Sequence, residues 1–147
     1  MSTYFDTSFL VALYVPNDHS AAALRHRRRR GRESIPFTPL HRLELRTVVR
    51  QCVCSQLITE AHCRDILRHI EQDLDDGTLV HEPLDWTGSL RRADAIAGRR
   101  AMKMPCRSLD LWHVAAGLEI KAAGFVTFDT DQFDLARAEG LRAVIPR

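Results

Sequence analysis

The stretch "RSLDLWHVAAGLEIKAAGFVTFD", residues 107–129, decides the fold of this chain. Apolar residues recur at helical spacing in its first half, which predicts a helix over 108–123 that Ser108 caps. The predicted apolar face consists of Leu109, Leu111, Val114, Ala115 and Leu118. Its second half, residues 124–129, is a short run of β-branched and aromatic residues that predicts a strand. Asp110, in the first turn of the helix, is the residue that packing alone does not explain.

The rest of the chain repeats this alternation of helices and short strand-like runs. Further strands are predicted at 3–6, 34–39, 78–84 and 142–146, and further helices from Ser8 to Pro16 and over 20–30, 39–54, 59–76, 85–101 and 132–139. Gly31 and Gly77 are predicted to end two of these helices. Such alternation favours a parallel sheet covered by helices on both faces, in a single domain over residues 1–147.

Composition sets limits on the class of protein. The chain has 147 residues, of which 45% are hydrophobic and 27% charged, with a net charge of +2. These values are ordinary for a globular protein. The four cysteines, Cys52, Cys54, Cys63 and Cys106, form no CxxC pair, which favours reduced thiols over a zinc site or a disulfide framework. No leader and no membrane-length apolar run is evident, so we expect a cytoplasmic protein that does not insert into membranes.

Acidic residues follow the predicted strands. Asp6 ends the first strand, Asp129 ends the strand at 124–129, and Asp131 comes two residues later. Asp110 and Glu44 lie on neighbouring helices. Each alone has an ordinary interpretation as a cap, a turn residue, an arginine partner or a complement to a helix dipole. Ligands of parallel sheets, however, bind at the carboxyl ends of the strands, where these acids would meet. Two carboxylates about 4 Å apart repel by about 4 kcal/mol at an effective dielectric constant near 20, so such a cluster favours a bound cation.

The segments "YFDTSFLVAL", "LHRLELRTVV" and residues 107–141 resemble the ordered acidic motifs of PIN-domain nucleases, and most closely those of VapC-like ribonuclease toxins. The resemblance covers nearly the whole chain. It implies a PIN-like three-layer α/β/α sandwich with a short central, mostly parallel sheet. Carried over by position, the catalytic and metal-binding acids are Asp6, Glu44, Asp110 and Asp129, and Asp131 is a fifth metal ligand. Small hydroxyl positions beside the site fall on Thr7, Ser8 and Thr127.

The resemblance also implies an activity and its partners. The expected activity is endoribonuclease cleavage of RNA by water activated with Mg²⁺ or Mn²⁺. A cognate antitoxin protein and a homodimer are the expected partners. A stand-alone RNA-processing nuclease and a catalytically silent PIN-like binding module remain alternatives. A haloacid-dehalogenase-like phosphatase is disfavoured because Ser8 stands where its second aspartate belongs, and a dinucleotide binder because "DTSFL" lacks glycine.

Some features keep more than one interpretation. The basic run "RHRRRRGR", Arg25 to Arg32, could be a solvated helix end, a phosphate-binding surface or a contact for an acidic antitoxin segment. His113 is expected to be a packed or rim residue rather than a ligand. Two positions depart from the commonest family pattern, since Trp112 replaces a smaller residue and Gly117 replaces an alanine. Neither change removes an acid.

Overall fold

A computed structural model describes residues 2–147 of the chain. Over these residues the strands are β1 (Thr3–Phe5), β2 (Ile35–Phe37), β3 (Leu79–His81), β4 (Gly124–Val126) and β5 (Arg142–Val144). The helices are α1 (Thr7–Tyr14), α2 (Ser20–Arg29), α3 (Pro39–Cys54), α4 (Glu60–Asp75), α5 (Trp86–Arg100), α6 (Ser108–Glu119) and α7 (Thr130–Ala138). No helix in this described part is long and apolar enough to cross a membrane.

Contacts between residues group the chain into two compact units. The first contains the residues up to Asp6 together with Pro83–Pro146, and the second contains Thr7–Glu82 with Arg147. The single domain over 1–147 stays a prediction.

The first unit is built on a three-stranded parallel sheet in the order β1-β4-β5. In its register Phe5 lies opposite Val126, and Val126 lies opposite Val144. Strands β1 and β4 are buried along their whole length, as expected for strands of a parallel sheet packed against helices. Tyr4 and Phe125 stack with ring centroids 5.4 Å apart within the core of this unit. The carboxyl ends of β1 and β4 therefore lie side by side.

The second unit contains the first four helices and a separate two-stranded parallel sheet of β2 and β3. Thr38 and Thr59 cap α3 and α4 through their side chains, and Pro39 begins α3 as predicted. Arg46 joins these two helices through an ion pair with Glu71, at 2.6 Å.

The predicted fold class is confirmed, and all strand pairs in the described residues are parallel. The predicted start of the first helix, with Ser8 as its cap, is wrong, because α1 begins at Thr7 and Ser8 lies inside it. Ser108 is likewise the first helical residue of α6 and not its cap. Leu109, assigned to the apolar face of α6, is instead 44% exposed.

Helix α6 is also shorter than predicted. It ends at Glu119, whereas the periodicity predicts a helix to residue 123. Lys121 takes a positive φ of 56°, and the Ala122 N–H donates to the Gly117 carbonyl at 2.9 Å. This local turn ends the helix before β4. The side chains at 120–123 do not indicate that the helix ends there.

Candidate metal-binding site

Asp6 lies directly after β1 and is fully buried. Its backbone N–H continues the parallel ladder by donating to the Val126 carbonyl at 3.0 Å. The register places Thr127 beside it, and the Thr127 hydroxyl donates to Asp6 Oδ2 at 2.7 Å. A carboxylate at the end of a buried strand is thus held in one orientation by a side chain of the neighbouring strand end.

Asp110, in the first turn of α6, is 2% exposed. Its Oδ2 atom accepts a hydrogen bond from the Arg107 backbone N–H at 2.9 Å, so the carboxylate caps the helix from within. Its Oδ1 atom accepts from Gln132 Nε2 at 3.1 Å. The capping interpretation of Asp110 therefore holds, and the same carboxylate is also tied to the start of α7.

Asp129 is the N-cap of α7. Its Oδ1 atom accepts from the backbone N–H groups of Asp131 and Gln132, at 2.8 and 3.0 Å. Its own N–H donates to the Thr127 hydroxyl at 2.8 Å. Asp131 is in the first turn of α7 and its side chain is exposed.

A single hydrogen-bonded network joins three of the predicted acids, which come from three distant segments of the chain. The acids are Asp6, Asp110 and Asp129, and the residues that link them are Thr127, Gln132 and Arg107. Thr127 links the ends of β1 and β4, and Gln132 links the starts of α6 and α7. Asp110 and Asp129 face the same guanidinium, that of Arg107, so the two carboxylates carry more negative charge than it neutralises, which favours the binding of further positive charge.

Arg107 is the cation of this network. Its Nε lies 3.3 Å from Asp110 Oδ2, and its Nη2 lies 3.4 Å from Asp129 Oδ2. The hydrogen bond to Asp110 and the charges of Asp110, Asp129 and Asp131 raise the pKa of Arg107 above the ordinary arginine value. The side chain is nevertheless 77% exposed.

Glu44 lies in the second unit, on α3, where it is half-buried. The Thr7 hydroxyl donates to Glu44 Oε1 at 2.9 Å. Thr7 also follows Asp6 directly in the sequence. Membership of Glu44 in the acid cluster stays a prediction from the resemblance.

The chemistry of the three joined acids fits a hard divalent cation, which prefers carboxylate and amide oxygens. Within residues 2–147 no three Asp, Glu, His or Cys side chains are already arranged as a metal-ligand group. The buried Gln132 side chain supplies an independent observation, because its Oε1 atom has no hydrogen-bond partner. A buried amide oxygen left unpaired beside a carboxylate costs free energy that a bound cation, or water on that cation, would recover.

Sequence reasoning missed Gln132 and Arg107 as members of this network. The available signals were weak: a glutamine three residues after Asp129, and an arginine three residues before Asp110. Each spacing is that of a helix start, where the first-turn groups face the cap.

Packing explains one of the two departures from the family pattern, Trp112. The Trp112 indole donates to Ser89 Oγ at 2.9 Å, and its ring meets Trp86 edge-on at 5.0 Å. A Cβ atom at Gly117 would lie 3.4 Å from Phe125 and 3.5 Å from Tyr4, which is ordinary van der Waals contact, so the structure does not explain the glycine at this position. His113 is buried, with its Nδ1 2.7 Å from the Tyr4 hydroxyl, which confirms that it is a packed residue.

Comparison with known proteins agrees with this architecture. The family model described as "PIN domain" matches residues 3–138. No curated protein sequence matches this chain. Among solved structures, a chain in the crystal structure of FitAcB from Neisseria gonorrhoeae is similar, with a TM-score of 0.63 and 16% sequence identity. That match covers 99% of this chain and 96% of the other.

The fold defines the class of this protein as α/β, with acidic residues that follow the strands of a short parallel sheet. The chain belongs to the PIN-domain family, which confirms the family that its acidic motifs resemble. PIN domains are generally nucleases that use divalent metal ions.

Proposed function

We propose that this protein is a metal-dependent endoribonuclease and the toxin of a toxin–antitoxin pair. The observation that carries the proposal is the network of Asp6, Asp110 and Asp129, with the unpaired Gln132 Oε1 beside it. Buried carboxylates that only stabilise the fold would be expected to pair fully with basic groups. Here Asp110 and Asp129 both make their ion pairs with one exposed arginine, Arg107.

In this proposal the three acids hold Mg²⁺ or Mn²⁺, with Glu44 as the fourth acid and Asp131 as a further ligand. The metal would supply an activated water and charge neutralisation at the scissile phosphodiester of RNA.

The residues of the chain itself set the geometry. The Thr127 hydroxyl fixes the Asp6 carboxylate, and Gln132 Nε2 fixes one oxygen of Asp110. The helix cap fixes Oδ1 of Asp129 and leaves Oδ2 directed toward Arg107. Preorganised acids lose little conformational entropy when they bind a cation, which favours tight and geometrically specific binding. No histidine or serine nucleophile is required.

The decisive variant is Asp6→Asn. Asparagine has nearly the same volume and can still accept the hydrogen bond of Thr127, so the fold should persist while a ligand charge is lost. Asp94→Asn is the matched control, since Asp94 is an exposed residue of α5. We expect wild type and Asp94→Asn to cleave RNA with Mn²⁺ and to show a rise in melting temperature with Mn²⁺. Asp6→Asn should lose both responses.

The magnitude of the thermal shift is set by mass action. A metal at about 100 times its Kd stabilises the folded state by about 2.7 kcal/mol. For a chain of this size that corresponds to roughly 5–10 °C. Undiminished cleavage by Asp6→Asn would reject the assignment of this site. A metal-induced shift without cleavage of any RNA would instead identify a silent binding module.

The toxin role and the partners need a separate test. The VapC-like resemblance supports an antitoxin and a homodimer as partners. Expression of wild type is expected to arrest growth, while Asp6→Asn should not, and sequencing of RNA ends after induction would identify the target. Growth without arrest, together with RNA cleavage in vitro, would favour a stand-alone processing nuclease.

A further inference from the structure

Arg107 contacts the acid network in a particular way. It faces Oδ2 of Asp110 and Oδ2 of Asp129, the oxygens on two different helix starts. The other oxygen of each acid is held by the fold: Oδ1 of Asp110 by Gln132, and Oδ1 of Asp129 by the backbone of α7. The oxygens nearest Arg107 are therefore those that a metal could take without breaking the cap of α7 or the bond to Gln132. Oδ2 of Asp110 also accepts the Arg107 backbone N–H, and a carboxylate oxygen can accept this hydrogen bond and bind a cation at the same time.

We propose that Arg107 is an exchangeable counter-cation of this site, which neutralises the acids when no divalent ion is bound and competes with that ion for the same two oxygens. The inference rests on the proposed function, because it requires that the acids bind a metal. It assigns to Arg107 the regulation of metal affinity, and not a part in holding the metal.

The exposure and the ion-pair distances of Arg107 favour its exchange for a divalent ion. The Arg107 side chain is 77% exposed, and its two ion pairs are long at 3.3 and 3.4 Å. Exposed pairs of this kind are weak, because solvent screens them and the side chain loses entropy in forming them. A divalent cation carries twice the charge and approaches carboxylate oxygens to about 2.0–2.1 Å in the case of Mg²⁺. The backbone N–H of Arg107 can still donate to Oδ2 of Asp110 after the guanidinium has moved away.

Removal of the guanidinium should therefore have two opposite effects. Without metal, Arg107→Gln leaves the acids uncompensated, so its melting temperature should fall below that of wild type. With metal, the competitor is gone, and we expect Mn²⁺ to bind about three- to tenfold more tightly, the scale of two weak exposed pairs. Arg107→Lys keeps the charge and should lie closer to wild type in both measurements.

Arg92→Gln is the matched control. Arg92 also has its Nε 3.3 Å from a carboxylate, that of Glu119, and its side chain is 48% exposed. The variant removes the same charge and an ion pair of the same length, within the same compact unit but apart from the acid network. It should leave Mn²⁺ affinity unchanged. If Arg92→Gln also bound Mn²⁺ more tightly, the effect of Arg107→Gln would come from net charge and not from its place beside the acids.

The experiment is a titration of metal-free protein with Mn²⁺ alone, in which binding is measured by calorimetry and by the electron paramagnetic resonance signal of Mn²⁺. Melting curves in EDTA give the metal-free melting temperature. Tighter binding by Arg107→Gln together with a lower metal-free melting temperature supports the proposal. Equal or weaker binding by Arg107→Gln, while wild type binds Mn²⁺, overturns it and leaves the proposed function intact. No Mn²⁺ binding by wild type would overturn the metal dependence in the proposed function, and this inference with it.

Discussion

Gly117→Ala should stabilise the protein, because this glycine sits inside α6 with room for a methyl group. A Cβ atom built there would lie 3.4 Å from Phe125 Cδ2 and 3.5 Å from Tyr4 Cβ, which is van der Waals contact. Gly117 is buried, so the new methyl would be removed from water.

The magnitude follows from three contributions. Replacing a helix-interior glycine by alanine contributes about 0.8–1.0 kcal/mol. Burial of one methyl group contributes up to about 0.8 kcal/mol. The contact at 3.4 Å is at the short end of the normal range and offsets part of this gain by restricting the Phe125 ring. We expect a net stabilisation of about 1–1.5 kcal/mol, or a rise in melting temperature of roughly 3–6 °C.

Two other helical glycines provide controls. Gly98 in α5 is exposed and a Cβ there meets nothing within 4 Å, so Gly98→Ala should gain helix propensity alone, about 0.5–1 kcal/mol. At Gly88 a Cβ would lie only 2.3 Å from Oδ2 of Asp85, whose carboxylate caps α5. Gly88→Ala should displace that cap, a loss of about 1 kcal/mol that cancels its propensity gain.

Urea and thermal unfolding of the three variants measure their relative stability. The expected ranking of stability is Gly117→Ala, then Gly98→Ala, then Gly88→Ala. Destabilisation by Gly117→Ala, or a gain below that of Gly98→Ala, would refute the claim that Tyr4 and Phe125 leave space for a methyl group. The Mn²⁺-induced shift should persist in Gly117→Ala, since Asp110 lies at the other end of the helix.

Two further predictions concern charge and titration. Asp129→Ser should keep α7 capped, because serine is a good N-cap, so the free energy of unfolding without metal should change by less than about 1 kcal/mol. The rise in melting temperature with Mn²⁺ should be smaller than in wild type. A full Mn²⁺ response would show that Asp129 only caps the helix. Burial, followed by the charges of Arg30 and Arg29, lowers the pKa of His26, and Glu33 opposes this only in part. As the pH falls, His26 therefore binds a proton in the unfolded chain before it does so in the folded protein. The free energy of unfolding should decrease as the pH falls through about 6.5, the ordinary histidine pKa. In urea unfolding from pH 7.5 to 5.5, His26→Gln should show a shallower decrease, and an identical slope would contradict the shifted pKa.

Much of the secondary structure was predictable because its signals are local. The helix at 39–54 begins at a proline after a threonine cap, and α2 is followed by Gly31, which takes a positive φ of 66°. The end of α6 was not predictable, because it depends on a positive φ at Lys121 rather than on a breaking residue. The division of the strands into two sheets also escaped prediction, since hydrophobic runs do not specify their pairing partners.

The sequence by itself determined the family, the parallel strands and the order of the acids, since residue type and spacing carry that information along the chain. It could not decide what each carboxylate contacts. Only the tertiary structure joined Asp6, Asp110 and Asp129 through Thr127 and Gln132, and placed Arg107 between two of them. The physical reason is that these contacts link residues up to 121 positions apart, which strand register and helix starts bring together. The sequence identifies the acids, and the fold determines which residues they contact.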